Sequence, residues 1–215
     1  SFEYFHHRQD AEAVRVLADH VIDTYLPALS ERAERHAELF RHAVHTTARL
    51  IAQWQAVGFC HGVMNTDNMS ILGDTLDYGP YGFLDVYAPG HICNPTDPGG
   101  RYAYNQQPRI GLWNCNALAL ALSSLIEVES LRAMLLEYEP LLLAALRALQ
   151  RSKLGLTRAL IEDETLIDEL LALLARNRVD YTLFFRRLSY FEDPAGREAL
   201  RDLFPDRSAF DQWAV

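Results

Sequence analysis

Nine of the eleven glycines lie between Gly58 and Trp113, and none precedes Gly58. Glycine costs a helix interior roughly 1 kcal/mol relative to alanine and is the residue that makes tight, irregular turns possible. A chain partitioned this way can be helical at both ends, while its middle must bend repeatedly. In the glycine-free part, Ala13, Val14, Leu17, Val21, Ile22 and Tyr25 recur at helical spacing between Asp10 and Leu29 and predict a helix that stops at or just before Pro27. Ala33, Ala37, Phe40, Val44, Ala48, Ile51 and Trp54 predict a second helix running to about Gln55, with Ser30 as its N-cap ahead of Glu31 and Glu34. In the middle only Met69 to Leu72 and Thr75 to Leu76 read as strands. Helical patterning returns at Asn114, with expected segments 114–126, 130–151, 163–176, 180–190 and 195–203 and with Pro140 starting or kinking a helix. The expected fold is therefore mainly α with a small β hairpin. A long irregular stretch inside a compact domain is usually functional.

Composition removes several function classes. Hydrophobic residues form 49% of the chain and charged residues 23%, as in an ordinary globular domain with a sizeable core. A net charge of -9 argues against nucleic acid as a partner, because phosphate binding needs clustered basic residues. No apolar run reaches the roughly 18 residues of a membrane span, so no membrane partner is expected. Ser1 to Asp10 shows no basic start followed by an apolar core. Cys60, Cys93 and Cys115 form no closely spaced pair, which fits a reducing compartment such as a bacterial cytoplasm, without separating it from a mitochondrial matrix. His6 with His7, and His42 with His45, lack a ligand partner at metal-binding spacing and read as solvent-facing.

Chemistry concentrates in His61-Gly62-Val63-Met64-Asn65-Thr66-Asp67-Asn68 and in Asp77-Tyr78-Gly79. Kinase-type phosphoryl transfer uses a loop that runs His-x-Asp and places a metal-binding Asn seven residues after the His, followed by an Asp-aromatic-Gly triplet. His61 to Asn68 is that seven-residue step, and Asp77-Tyr78-Gly79 is that triplet. Amide and carboxylate oxygens are the donors Mg²⁺ prefers, so Asn68 and Asp77 are candidate metal ligands. A long helix ending in such a loop and a small hairpin is how the larger lobe of a protein kinase delivers its chemistry. One position departs from the pattern. Val63 stands where a kinase has its proton-accepting carboxylate, and an apolar side chain cannot accept a proton. The nearest spare carboxylate is Asp67. By itself an Asp-Asn pair is an ordinary turn former, and His61 reads more readily as a structural imidazole than as a catalytic one. Arg101 and Arg109 could pair with phosphate, although surface ion pairs are the plainer reading.

The run Gly58-Phe59-Cys60-His61-Gly62-Val63-Met64-Asn65-Thr66-Asp67-Asn68-Met69-Ser70-Ile71 resembles the signature loop of the selenoprotein O (YdiU) family. The resemblance continues through Asp77-Tyr78-Gly79-Pro80-Tyr81-Gly82-Phe83-Leu84-Asp85, His91-Ile92-Cys93-Asn94, Gly100-Arg101-Tyr102-Ala103-Tyr104 and Ile110-Gly111-Leu112-Trp113-Asn114. It implies a kinase-like fold that binds ATP in reversed orientation and transfers AMP to Ser, Thr or Tyr of other proteins. It also implies Asp67 as the general base, Asn68 and Asp77 as holders of Mg²⁺ (or Mn²⁺) and nucleotide, and ATP and acceptor proteins as partners. With ATP reversed the reacting phosphorus is the α one, which gives a reason why Val63 need not abolish chemistry.

Kinase-type sites also use a glycine-rich cover and a phosphate-contacting lysine upstream of the catalytic loop. No Gly-x-Gly occurs here, and the sole lysine, Lys153, lies downstream of Asp77. The expectation is a single kinase-like C-lobe domain over 1–215 with the N-lobe absent and both ends truncated, inactive alone and open to self-association through exposed apolar surface. Within it, 1–57 lead to the catalytic loop, 58–113 hold the catalytic, metal-binding and activation-like loops, and 114–215 are helical. Two other classes compete: a non-catalytic pseudokinase that binds nucleotide or scaffolds, which Val63 favours, and a small-molecule phosphotransferase. The latter shares the His-Gly start but keeps an Asp two residues after the His, so it ranks last.

Overall fold

The computed structural model describes residues 1–214. It is mainly helical with one two-stranded antiparallel sheet, and it divides into two compact units.

The first unit comprises 1–52, 63–79 and 107–143. It contains α1 (Phe2–His7), α2 (Ala11–Tyr25), most of α3 (Arg35–Val57), α4 (Gln107–Leu122), α5 (Val128–Leu135) and the start of α6 (Tyr138–Lys153). α2 starts where the Asp10 carboxylate accepts from the Ala13 N–H at 2.9 Å, and it ends before Pro27, which opens a 3₁₀ turn over Pro27–Leu29. Ser30 does not cap α3 as the sequence suggested. Its hydroxyl donates to Asp23 at 2.9 Å, and α3 begins only at Arg35, leaving Ala33 exposed outside the helix. The rest of the anticipated stripe holds, with Phe40, Val44, Ala48 and Ile51 fully buried. Ala18, Val21, Ile22 and Leu39 form a core against which Phe2, Leu26, Ile71 and Leu72 pack.

The start of α4 also differs from expectation. α4 begins at Gln107 rather than Asn114, running through Pro108 and Gly111. Pro108 sits in the first turn, where its missing N–H is not needed. Gly111 is the point where the chain passes the Tyr138 hydroxyl and Ile51 too closely for a side chain, and the same hydroxyl donates to the Pro108 carbonyl at 3.0 Å. The expected segment 130–151 is α5 and α6, and of the two outcomes open for Pro140 the first holds: it lies in the first turn of a new helix, α6.

The second unit comprises 53–62, 80–106 and 144–215, described to residue 214. Its sheet pairs β1 (Phe59–Cys60) with β2 (Gly82–Phe83), in the register Phe59 with Phe83 and Cys60 with Gly82. These strands are not the ones read from the sequence. α7 (Glu162–Asn177), α8 (Tyr181–Leu188), α9 (Pro194–Arg201) and α10 (Arg207–Trp213) complete it. Asp180, Asp193 and Asp206 each cap the following helix by accepting a backbone N–H. The core gathers Leu170, Leu174, Tyr181, Phe184, Phe204 and Phe210.

Candidate functional site

Helix α3 delivers the chain to the loop, and its last carbonyls are satisfied from a distance. Within the second unit, Gln55 O accepts from the Tyr104 hydroxyl, while Ala56 O accepts from Lys153 Nζ at 2.6 Å and from the Tyr181 hydroxyl at 3.0 Å. A cation at a helix C-terminus opposes the negative end of the helix dipole. Gly58 then reverses the chain at φ +73°, and its carbonyl accepts from the Leu84 N–H at 2.8 Å. His61 is buried, its ring 5.2 Å from that of Trp54 and 6.3 Å from that of Phe59. That packing suits a loop brace. Gly62 has φ +84°, and a Cβ there would lie 2.9 Å from Cys93 Sγ and 3.0 Å from the Pro80 carbonyl oxygen. The Gly62 carbonyl accepts from Asn94 Nδ2 at 3.1 Å.

Asp67, Asn68 and Asp77 all lie in the first unit. Asp67 and Asn68 occupy a 3₁₀ turn, Thr66–Asn68, whose Thr66 hydroxyl donates to Glu3. After it, Met69 pairs antiparallel with Thr75 as a single bridge, closed by a turn in which the Gly73 N–H donates to Ser70 O at 3.2 Å. The two segments read as strands are therefore one bridge rather than a ladder. Its consequence for the site is direct. Asn68 precedes one member of the bridged pair and Asp77 follows two residues after the other, so both stand at the open end of the same miniature hairpin. Asp67 stands there too.

Asn68 Nδ2 donates to the Val63 carbonyl at 3.1 Å. A carbonyl can only accept, so the amide must turn its nitrogen to Val63 and its oxygen away. Asp77 is exposed at φ +55°, an unusual conformation for a residue with a side chain, and its carbonyl accepts from the Gly79 N–H at 2.7 Å. Such conformations cost about 1–3 kcal/mol and concentrate at functional sites. Asp67 is also exposed. Among the described residues, no cluster of three or more His, Cys, Asp or Glu side chains could grip a metal unaided. The donors present are instead of the kind Mg²⁺ uses with substrate phosphates: one or two hard oxygens, the remaining positions going to water and the nucleotide. An amide oxygen turned from the Val63 carbonyl and an exposed carboxylate fit that requirement.

Asp67 also lines a cavity of about 350 Å³ inside the first unit, bordered by α1, α2, α3 and α4. Sequence reading had no access to this cavity, because its walls come from segments distant in the chain. Asn114, 7% exposed, borders it as well; its Nδ2 donates to Met64 O and Ile110 O, while its Oδ1 has no partner. Among the described residues no helix is long and apolar enough to cross a membrane.

Comparison with known proteins settles the lineage. The family model described as protein adenylyltransferase SelO matches residues 1–214. This chain belongs to the SelO family. It is 52% identical over 216 residues to the protein nucleotidyltransferase YdiU of Myxococcus xanthus, covering 100% of this chain and 44% of that relative. The YdiU protein of Thiobacillus denitrificans is likewise 52% identical over 219 residues, covering 100% of this chain and 44% of its own. That of Vibrio vulnificus is 50% identical over 212 residues, covering 99% and 43%. The SelO-family chain thus spans less than half the length of these curated relatives, which are named as protein nucleotidyltransferases.

Proposed function

We propose that this chain carries the catalytic loop of a metal-dependent protein adenylyltransferase, on a framework like the C-lobe of a protein kinase, that moves AMP from ATP to Ser, Thr or Tyr hydroxyls of other proteins. The observation that supports this reading is the position of Asp67 and Asn68 just before, and of Asp77 just after, the Met69–Thr75 bridge, with the Asn68 amide nitrogen engaged by the Val63 carbonyl. Asn68 Oδ1 and the Asp77 carboxylate would hold Mg²⁺ or Mn²⁺, which when bound would neutralise charge on the phosphate oxygens. Asp67 accepts the proton of the acceptor hydroxyl as that oxygen bonds to the α-phosphorus. The bond from the α-phosphorus to the bridging oxygen breaks, and pyrophosphate leaves. Val63 is compatible with this assignment because the base would be Asp67, which shares a 3₁₀ turn with Asn68.

The 215-residue chain alone is expected to be inactive, since its sole lysine, Lys153, is tied to Ala56 O rather than available to phosphate. The test uses the full-length protein that contains this chain, incubated with ATP, Mg²⁺ and protein acceptors and read by mass spectrometry. One AMP per modified site is expected, abolished by Asp77→Ala and reduced at least about 100-fold by Asp67→Asn, the scale of a lost general base. Addition of phosphate instead of AMP would make the protein a kinase. Nucleotide binding with no transfer at all would support the scaffold reading that Val63 favours.

A further inference from the structure

The cavity beside Asp67 has no part in holding metal or triphosphate in the reading above, yet it opens next to the carboxylate assigned as base. We propose that it is a recognition pocket for the protein substrate, taking a large apolar side chain that neighbours the acceptor hydroxyl and rejecting an acidic one. This inference rests on the adenylyltransferase reading and deepens it.

Size is the first ground. About 350 Å³ falls within the roughly 300–1,000 Å³ typical of ligand pockets, and it is far more than one water needs. The room exists because α3 and α4 turn small residues toward it, with Ala43, Ala117 and Ala121 standing where larger side chains would close the space. Leu17, Ile71 and Leu118 supply apolar wall. Charge is the second ground. The acidic side chains at the cavity are the carboxylates of Glu3 and Asp67, beside the Cys115 thiol, and no basic side chain lines it. An acidic substrate residue would meet repulsion without a partner, whereas an apolar one gains by leaving water, at about 25 cal/mol per Å² buried. Reach is the third. A general base must come within about 3 Å of the proton it takes. Successive residues of an extended peptide are roughly 3.5 Å apart. An acceptor held at Asp67 therefore delivers an adjacent side chain to a cavity that Asp67 itself borders.

The test uses the full-length protein with ATP and Mg²⁺ and a set of peptides bearing one Ser acceptor, differing only in the residues flanking it: Ala, Leu, Phe, Tyr or Glu. Apolar and aromatic flanks should exceed Ala in kcat/KM by about 10-fold or more, the scale of a filled hydrophobic subsite, with Glu below Ala. Ala117→Leu, which narrows the cavity, should pull the Phe-to-Ala ratio toward one. A second measurement needs no transfer: fluorescence anisotropy of the same peptides with the acceptor Ser replaced by Ala should rank the flanks in the same order. AMP transfer that ignores the flanking residue, or a preference that survives in folded Ala117→Leu protein, overturns the pocket and leaves the proposed activity standing. Ranked binding with no AMP on any peptide would instead sink the activity and keep the pocket. Should Ala117→Leu fail to fold, the wild-type peptide series decides alone.

Discussion

Gly62 offers the sharpest test of how the loop is built. Its φ of +84° is a conformation that costs a residue with a Cβ about 1–2 kcal/mol. In Gly62→Ala the new methyl would also meet Cys93 Sγ at 2.9 Å, the Pro80 carbonyl oxygen at 3.0 Å and Pro80 Cγ at 3.1 Å. A thiol can rotate away, but a backbone oxygen and a proline ring cannot, so the chain itself has to shift. Forced repacking of this kind costs about 1–3 kcal/mol. The two contributions together give roughly 2–5 kcal/mol. For a chain of this length each 1 kcal/mol moves the melting temperature by about 2–4 °C, so Gly62→Ala should lower it by at least about 4 °C. Gly79→Ala is the matched control. It lies in the same irregular stretch and has no left-handed φ, and a methyl added there would meet nothing within 4 Å. That change should leave the melting temperature unchanged or raise it by up to about 4 °C. Scanning calorimetry of the three chains under one buffer reads both. Equal midpoints for the two variants would refute the claim that backbone crowding, rather than simple loop geometry, fixes glycine at position 62.

Two pH dependences follow from buried or paired charges. Burial pushes the Asp19 carboxyl up, but hydrogen bonds from His36 at 2.7 Å and Arg35 at 3.0 Å outweigh it and hold the group below its ordinary range. The folded state therefore prefers the ionised form, and the stabilisation is present above the unfolded value near 4 and lost as pH falls below it. Asp19→Asn should flatten the acid side of a stability-versus-pH curve measured by urea unfolding, and an unchanged acid limb would count against the pairing. Lys153 runs the other way: burial pushes its amine down to about 8, with its Nζ 3.7 Å from the Phe185 ring centre and 4.2 Å from that of Tyr181. The unfolded chain then holds more protons than the folded one between about pH 8 and 10.5, so this group adds stability as pH rises through that window. Wild type should gain on Lys153→Met across it, and parallel curves for the two proteins would show that the ammonium is not desolvated as described.

The sequence was readable where one local rule decided the outcome. Residues of α2 and α3 face a core at three- and four-residue steps, so periodicity placed both helices, and the seven-residue step from His61 to Asn68 marked the loop without any coordinates. It failed where two distant segments decide together. Ser30 has the chemistry of an N-cap, yet Asp23, seven residues upstream, takes its hydroxyl, and no local pattern distinguishes the two outcomes. The start of α4 was hidden because Pro108 and Gly111 are helix breakers in isolation. They are tolerated because one occupies a first turn and the other makes room for Tyr138, which is 27 residues later in the chain. β1 and β2 are two residues each and are separated by 21 residues, so neither carries enough alternation to be recognised alone. The candidate site follows the same division. Asn68 and Asp77 could be named as candidates from spacing, because hard-oxygen chemistry restricts which side chains can serve, whereas the role of Asp67 came from the family resemblance. Their gathering at one hairpin end depends on a single Met69–Thr75 bridge and on a turn closed at Gly73, whose absent side chain lets the chain pass within 2.7 Å of Thr46 Cβ, measured from where a Cβ would stand. The proposed site thus combines residue types that sequence reveals with one backbone pairing that it does not. The same pairing links the cavity to the candidate base: the bridge that Asn68 precedes and Asp77 follows begins at Met69, which with Ile71 and Asp67 lines the cavity.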